Sequence, residues 1–346
     1  MGKPLARILS EKGEEVHITS RKRRNTDGRT DGRIRYFQGD GHNLQFLEGI
    51  LSANSYDAVI DFMTYEPEAF RNNIPVLLKS TGRYFFLSSC RVYAQSELPL
   101  TEKSPRLLDV CTDPSLFETE KYAIHKAAEE DILKSCRSRN WTIIRPYLTY
   151  HNYRLQLGFY EKEHWLYRAL NGRTVLFPSR MLDKKTTLTY GEDVAQAVAL
   201  LTGCTEACGQ TFQIASEECL RWRDVIEIYR HALKEICGTE LKVQEAEQIS
   251  DYYKYWPDAL IKYDRIYDRR FDCSRLKEAA GKDCVKFQKA DSGLYKCIRE
   301  FTANPAWDGF YHAYEAWADR KAGEITPVWQ IPGKRGKLRY LADRFL

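Results

Sequence analysis

Residues 56–88, YDAVIDFMTYEPEAFRNNIPVLLKSTGRYFFLS, alternate between strand and helix in a way that points to one class of fold. Tyr56-Asp57-Ala58-Val59-Ile60-Asp61-Phe62 reads as a buried strand. Glu66 to Lys79 reads as a helix, and Gly82 precedes a second strand, Tyr84-Phe85-Phe86-Leu87-Ser88. Apolar strands joined through a helix describe a βαβ unit, whose parallel sheet is covered on both faces.

The same alternation continues outward on both sides. Upstream, Leu5, Ile8 and Leu9 mark a short amphipathic helix that stops at Gly13. Glu15 to Ser20 alternates like a strand, Ile34 to Gln38 is another, closed by Gly39-Asp40-Gly41, and Asn43 to Ser52 is helical. Downstream, a long helix is predicted from Glu118 to Ser138, then a strand over Trp141 to Arg145 that Pro146 stops. The expected fold class is therefore α/β, a doubly wound parallel sheet, with ligands bound beyond the carboxyl ends of its strands. From about Tyr150 the pattern loosens. Helices are predicted over Gly158 to Asn171, Asp193 to Leu201 and Trp222 to Cys237, with short strands at Thr174 to Phe177 and Thr211 to Ile214. The segment Asp251 to Arg270 is rich in Tyr and Asp, and the basic tail from Lys334 is expected to be flexible. The expected division is a nucleotide-binding domain over 1–150, a smaller C-terminal α/β substrate lobe over 151–305 with some segments returning to the sheet, and an extension over 306–346.

Composition sets outer limits. The 346 residues are 43% hydrophobic and 29% charged, with a formal net charge of +5. That balance permits anionic ligands without calling for nucleic acid. Ten cysteines without zinc-site spacing read as reduced thiols. The seven histidines show no ligand spacing either, so no metal is expected. No apolar run reaches membrane-span length and the first residues lack an export signal's apolar core, so a cytoplasmic protein with no membrane partner is expected.

The chemistry concentrates on Ser89, Tyr122 and Lys126. Tyr122 and Lys126 are four apart and share a helix face. An ammonium beside a phenol favours the phenolate, and a tuned tyrosine can move a proton to or from a hydroxyl. Ser89 falls where a strand ends, at the ligand edge. Tyr-x-x-x-Lys occurs by chance in many helices, and serines at strand ends are common. Both together, in this order on a parallel α/β background, point to catalysis.

These residues carry a resemblance. Ser88-Ser89 through Val92-Tyr93 resembles the S-S-x-x-V-Y segment of the extended short-chain dehydrogenase/reductase family, the sugar-nucleotide epimerases and dehydratases. Tyr122 and Lys126 match its Y-x-x-x-K, and Arg145-Pro146 with Thr149-Tyr150 resembles its R-P-x-x-x-Y-G, with His151 in place of glycine. Asp193-Val194-Ala195, Gly209 to Ile214 and Arg270 to Ser274 resemble later family segments, so the likeness spans roughly residues 2–300. The resemblance implies a Rossmann-like sheet, an NAD or NADP cofactor, and hydride transfer on a nucleotide-linked sugar. It implies Tyr122 as acid/base, Lys126 on the nicotinamide ribose and Ser89 polarising the substrate. Gly2, Ser20, Arg21, Asp40, Phe62, Met63 and Pro146 then join Tyr122 and Lys126 around the cofactor. Arg21 and Lys22, with no acid beside them, slightly favour NADP. Asn152, Arg154, Arg168, Lys185 and Arg223 are the candidate substrate contacts, and a homodimer through the helix of Tyr122 and its neighbour is expected.

The family opens with an apolar strand and G-x-x-G-x-x-G, whereas Met1-Gly2-Lys3-Pro4-Leu5 resembles only the last glycine and the following helix. A sheet lacking its first strand, weak cofactor binding and a truncated start are therefore expected. Cys90 and Arg91 stand where dehydratases place an acidic pair, which argues against dehydration. An enzyme that epimerises, dehydrates or reduces a nucleotide sugar leads. The alternative is a dinucleotide-fold protein that acts as a sensor, regulator or RNA binder without turnover.

Overall fold

The computed structural model describes residues 1–22, 32–247, 252, 254, 258–281 and 285–345. Arg23 and Arg24 of the early basic run, and much of Asp251 to Trp256, lie outside the described residues. The chain divides into two units. The first comprises residues 1–149, 189–217 and 271–287, and the second residues 150–188, 218–270 and 288–346.

The first unit is built on parallel strands. Strands β1 (Val16–Ser20), β2 (Ile34–Gln38), β3 (Tyr56–Asp61), β4 (Thr81–Leu87), β5 (Trp141–Pro146) and β6 (Gln210–Ile214) alternate with helices α1 (Gly2–Glu11), α2 (Leu44–Ala53), α3 (Pro67–Lys79), α4 (Lys121–Ser135) and α5 (Gly191–Leu201). The order β6-β5-β4-β3 forms one sheet, all neighbours parallel, and β1 pairs in parallel with β2. Among the described residues no backbone ladder joins β1 to β3. A side-chain hydrogen bond crosses that interval instead, between His17 Nδ1 and the Tyr56 hydroxyl at 2.6 Å.

Strand alternation sorts the core. Tyr84 and Phe86 of β4, with Trp141 and Ile143 of β5, pack against Phe70, Ile74 and Leu77 of α3 and Ile132 and Leu133 of α4. Phe85, Leu87 and Ile144 point the other way, toward Leu5 of α1 and Val194, Val198 and Leu201 of α5. Covering both faces is what lets these strands be apolar throughout. Pro67 opens α3, where a missing N–H costs nothing, and the Asn43 side chain caps α2 by accepting from Phe46 N at 3.1 Å.

The helix expected over Glu118 to Ser138 is two helices. A short turn, Leu116–Thr119, ends at Glu120, whose backbone leaves the helical region. Its side chain accepts from Ala123 N at 3.1 Å and restarts the chain as α4.

The second unit includes the helices Lys162–Leu170, Trp222–Cys237, Ala290–Ala303, His312–Ala322 and Lys334–Phe345, with a parallel pair of strands at Val175–Pro178 and Val243–Ala246. The tail expected to be flexible is helical from Lys334 to Phe345. Gly336 and Tyr340 hold it down: a Cβ at 336 would overlap the His312 ring, and Tyr340 donates to Asp319 Oδ2 at 2.6 Å. Both partners are distant in sequence, so the tail's charge content did not disclose them.

Candidate active site

The carboxyl ends of the parallel strands of the first unit gather most of the predicted cofactor and catalytic residues. Strand β4 runs out at Leu87, and Ser89 follows as the cap of a 3₁₀ turn, Cys90–Val92, its Oγ accepting from Arg91 N at 3.2 Å. Ser89 is buried. Its hydroxyl hydrogen is not needed for that cap, so it can be donated elsewhere. Arg91 then reaches α4. Its guanidinium lies over the Tyr122 ring, 4.9 Å from the centroid, and pairs with Glu120. Tyr122 is 37% exposed. Ser89 and Tyr122 are thus connected through one arginine, a contact that sequence reasoning did not assign.

Lys126 sits one turn further along α4 and is fully buried. Its Nζ donates to Met63 O at 2.8 Å and to Glu129 Oε2 at 3.0 Å, and lies 4.4 Å from the Phe86 ring centroid. Among the described residues its hydrogen-bond partners do not include Tyr122: the lysine's charge is met by Glu129, three residues on. Glu129 was overlooked in the sequence, although i, i+3 spacing from Lys126 was the signal that could have found it. Its Oε1 also accepts from Tyr65 N at 3.2 Å. Beneath it, Asp61 accepts from the Tyr65 and Tyr84 hydroxyls at 2.9 and 2.7 Å and from Met63 N at 2.8 Å.

Burial raises the Glu129 carboxyl to about 7, against the opposing pull of Lys126. Asp61 adds to the rise. The folded chain then binds this proton more tightly than the unfolded chain. Glu129 therefore subtracts from stability as pH climbs from the ordinary carboxylate range toward 7. Glu129→Gln is expected to remove that slope, so the variant gains stability relative to the parent between about pH 5 and pH 8. Denaturation midpoints measured across that range check it, and parallel curves would refute it.

Glu130 behaves in the opposite sense. It is fully buried and accepts from Ser88 Oγ at 2.6 Å and Arg145 Nε at 2.8 Å, with Lys134 at 3.2 Å. Burial raises its carboxyl, but Arg145, Lys134 and Ser88 outweigh that and hold it at about 2. It ties the end of β4 to the end of β5, where Pro146 is buried.

The remaining cofactor candidates, apart from Gly2, lie at neighbouring strand ends. Gly2 begins α1, and a Cβ there would stand 4.0 Å from the Phe62 ring. Gly41, which was not among the sequence candidates, is bounded by the candidate Met63 through Sδ and by Thr19 Oγ1, each 3.5 Å from where its Cβ would be. Ser20 closes β1, and Arg21 and Lys22 after it are exposed. Asp40 is exposed and accepts from His42 N at 3.0 Å. His42, through that backbone bond and its ring, holds the Asp40 carboxyl below its ordinary range, and Arg21 adds to this.

The candidate substrate residues lie in the second unit and are scattered there. Asn152 donates to Glu300 Oε2 at 3.0 Å. Arg154 is half exposed, 3.8 Å from Glu161. Lys185 has its backbone N–H on Asp268 Oδ1 at 2.8 Å. Arg223 forms a two-pronged surface pair with Asp183 at 2.7 and 2.8 Å. Arg168 requires correction as a substrate contact. It is fully buried, and its guanidinium is engaged by Glu315 at 2.8 Å, Asp319 at 2.9 Å, Glu324 at 3.1 Å and Thr174 O at 2.8 Å. A cation so enclosed holds its own unit together and offers nothing to an incoming phosphate.

Residues 1–215 match the family model described as NAD dependent epimerase/dehydratase family. Among curated proteins, the chain is 26% identical over 226 residues to the chloroplast stem-loop binding protein of 41 kDa b from Arabidopsis thaliana. The match covers 62% of this chain and 55% of that relative, so the chain spans about half the length of the curated relative it matches. Among solved structures, UDP-glucose 4-epimerase from Bifidobacterium longum, in complex with NAD+ and UDP, superposes with a TM-score of 0.64 at 18% identity. That match covers 87% of this chain and 95% of the other. The Bordetella bronchiseptica enzyme WbmH, in complex with NAD+, gives 0.62 at 16% identity over 88% and 96%. At such identities the likeness is one of fold.

Proposed function

The chain belongs to the NAD dependent epimerase/dehydratase family, and from that premise we propose that it is an NAD(P)-dependent oxidoreductase or epimerase of a nucleotide-linked sugar, with Tyr122 as its acid/base. The observation that carries the reading is the convergence on α4. Tyr122 meets the Ser89 turn through Arg91, and Lys126 meets the loop after β3 through Met63 O. Asn152 and Arg154, the first candidates after β5, are the residues assigned to the sugar nucleotide in this reading.

The residues present fit a dinucleotide at three points. Gly41 presents bare backbone beside Met63 and Thr19, past the ends of β1 and β2. Arg21 and Lys22 offer exposed cations past β1, where an adenosine 2′-phosphate would lie. Lys126 uses two of its three ammonium hydrogens on described partners, which leaves one for a ribose hydroxyl. The bound cofactor would supply the hydride acceptor and donor. Tyr122 takes a proton from the sugar hydroxyl as the carbonyl forms and returns it when the hydroxyl is restored. Ser89 donates to the reacting oxygen and holds it in line. Lys126, its charge met by Glu129, fixes the cofactor.

A second reading, a dinucleotide-fold protein that binds without turnover, has one specific support: the curated relative's name, which is that of a stem-loop binding protein. A thermal-shift screen separates the two. NAD, NADP and a panel of nucleotide sugars are each expected to raise the melting temperature by mass action. NADP should raise it more than NAD, and at about 100 times Kd the gain is about 2.7 kcal/mol. A chain that answers to an RNA hairpin but to no nucleotide would overturn the enzymatic reading.

A further inference from the structure

The C-terminal helix Lys334–Phe345 is amphipathic in an unexpected direction. Its inward side is narrow. Gly336 and Tyr340 are buried, and Ala316, Ile331 and Tyr340 form a small core with Phe310 and Leu341 against it. Tyr340 also accepts from Thr326 N at 2.8 Å, so the helix is anchored by hydrogen bonds as well as by packing. The opposite side should be uniformly polar in a helix that ends its work there. Instead Leu338, Ala342 and Phe345 fall at four- and three-residue steps along one exposed stripe, with Leu338 69% and Phe345 59% exposed. Lys334, Arg335 and Arg339 are exposed beside it. The helix carries five cations against one acid, Asp343.

The segment just before the helix continues the pattern. Ile325, Val328 and Trp329 are exposed, Trp329 to 81%. Bulky apolar groups left out singly need no explanation, but five of them exposed within 21 residues, interleaved with cations, are a concentration that calls for one. The nearby acids do not offset those cations, because Glu315, Asp319 and Glu324 are taken by Arg168.

We propose that this outward stripe, together with the exposed Trp329 nine residues before Leu338, is a docking surface for an anionic lipid bilayer. The occupant follows from the side chains. Cations alone would suit any polyanion. Ile325, Val328 and Leu338, however, have no stacking face to offer a nucleic acid base, whereas at a membrane they enter the boundary between headgroup and acyl chain. Trp and Phe favour the same depth, and Lys and Arg stay among the headgroups. The unit would lie on the membrane through this helix without crossing it, and no described helix is long and apolar enough to cross one.

The test is co-sedimentation of the full chain with vesicles of equal parts phosphatidylglycerol and phosphatidylcholine, set against vesicles of phosphatidylcholine alone. The chain is expected to pellet with the first and not the second. Binding should weaken as salt is raised from about 0.1 M to about 1 M, where charge screening closes from about 10 Å to about 3 Å. Trp329→Ala with Leu338→Ser should lower partitioning about tenfold or more, with the melting temperature unchanged because both side chains are exposed. Brominated lipid should quench a Trp signal that Trp329→Phe removes. No pelleting with anionic vesicles overturns the proposal. So does pelleting indifferent to the Trp329 and Leu338 changes, since the surface would then be a plain basic patch. Preferential capture of an RNA hairpin over vesicles, or loss of a dimer on Leu338→Asp, overturns it in favour of a nucleic acid or a second copy of the chain.

Discussion

Tyr122→Phe is expected to lower turnover by about 10²–10⁴-fold, the usual weight of a positioned acid/base. The substitution removes one oxygen and leaves the ring. The ring is what Arg91 covers, so the Arg91–Glu120 pair and the turn holding Ser89 keep their support. The hydroxyl forms no hydrogen bond with any described residue, so its loss strands no partner. The melting temperature and dinucleotide binding should therefore match the parent's. Turnover is measured on the nucleotide sugar that most raises the melting temperature, under saturating cofactor. A variant that turns over as fast as the parent ends the role given to Tyr122. Equal loss of cofactor binding would move Tyr122 from chemistry to binding.

Arg168→Ala is the second large effect, and it falls on stability. Arg168 stands between Glu315 and Asp319, both fully buried, with Glu324 at the edge. Arg173 reaches Glu315 at 2.7 Å, but it cannot serve both acids. Burial already raises the Glu315 carboxyl, and Arg168 is the largest influence pulling it back. Removing the arginine leaves two interior carboxylates short of positive charge. Breaking a buried pair in this way costs about 3–5 kcal/mol. The loss should appear in urea unfolding as an earlier transition of the second unit, with the first unit's transition in place. A change below about 1 kcal/mol, coupled to a raised KM, would return Arg168 to substrate binding.

What the sequence disclosed follows the range of the forces involved. Strands whose apolar runs are long enough were readable, and Ile34–Gln38 and the helix Trp222–Cys237 have the bounds expected of them. The parallel α/β class followed from those runs because a buried strand must be apolar on both faces. The break at Glu120 was not read, since glutamate is a weak cap and the periodicity runs through it. Ser89 and Tyr122 could be named from motif, but the arginine that links them could not, because Arg91 is surface-like in sequence and acquires its role from α4. Arg168 shows the same limit in reverse. A charged residue on a helix reads as solvated until the acids 147 and 151 residues later fold onto it. Glu129 was local and still missed, hidden next to Glu130 in a run of acids.

The first unit is assembled from three separated lengths of chain, and that carries a consequence for synthesis on the ribosome. The outer edge of β5 is completed by β6, in register from Thr142 with Gln210 to Pro146 with Ile214. Leu276 and Val285, from the last length, fill the core on the α5 face. Between emergence of residue 149 and residue 287, translation at roughly 5–20 residues per second takes roughly 7–28 s. Through that interval the nascent polypeptide exposes a naked sheet border and an unfilled apolar hollow, while the second unit's first pieces emerge between them. Its yield in a cell should depend on holdase chaperones and on elongation speed more than on the equilibrium stability of the finished molecule.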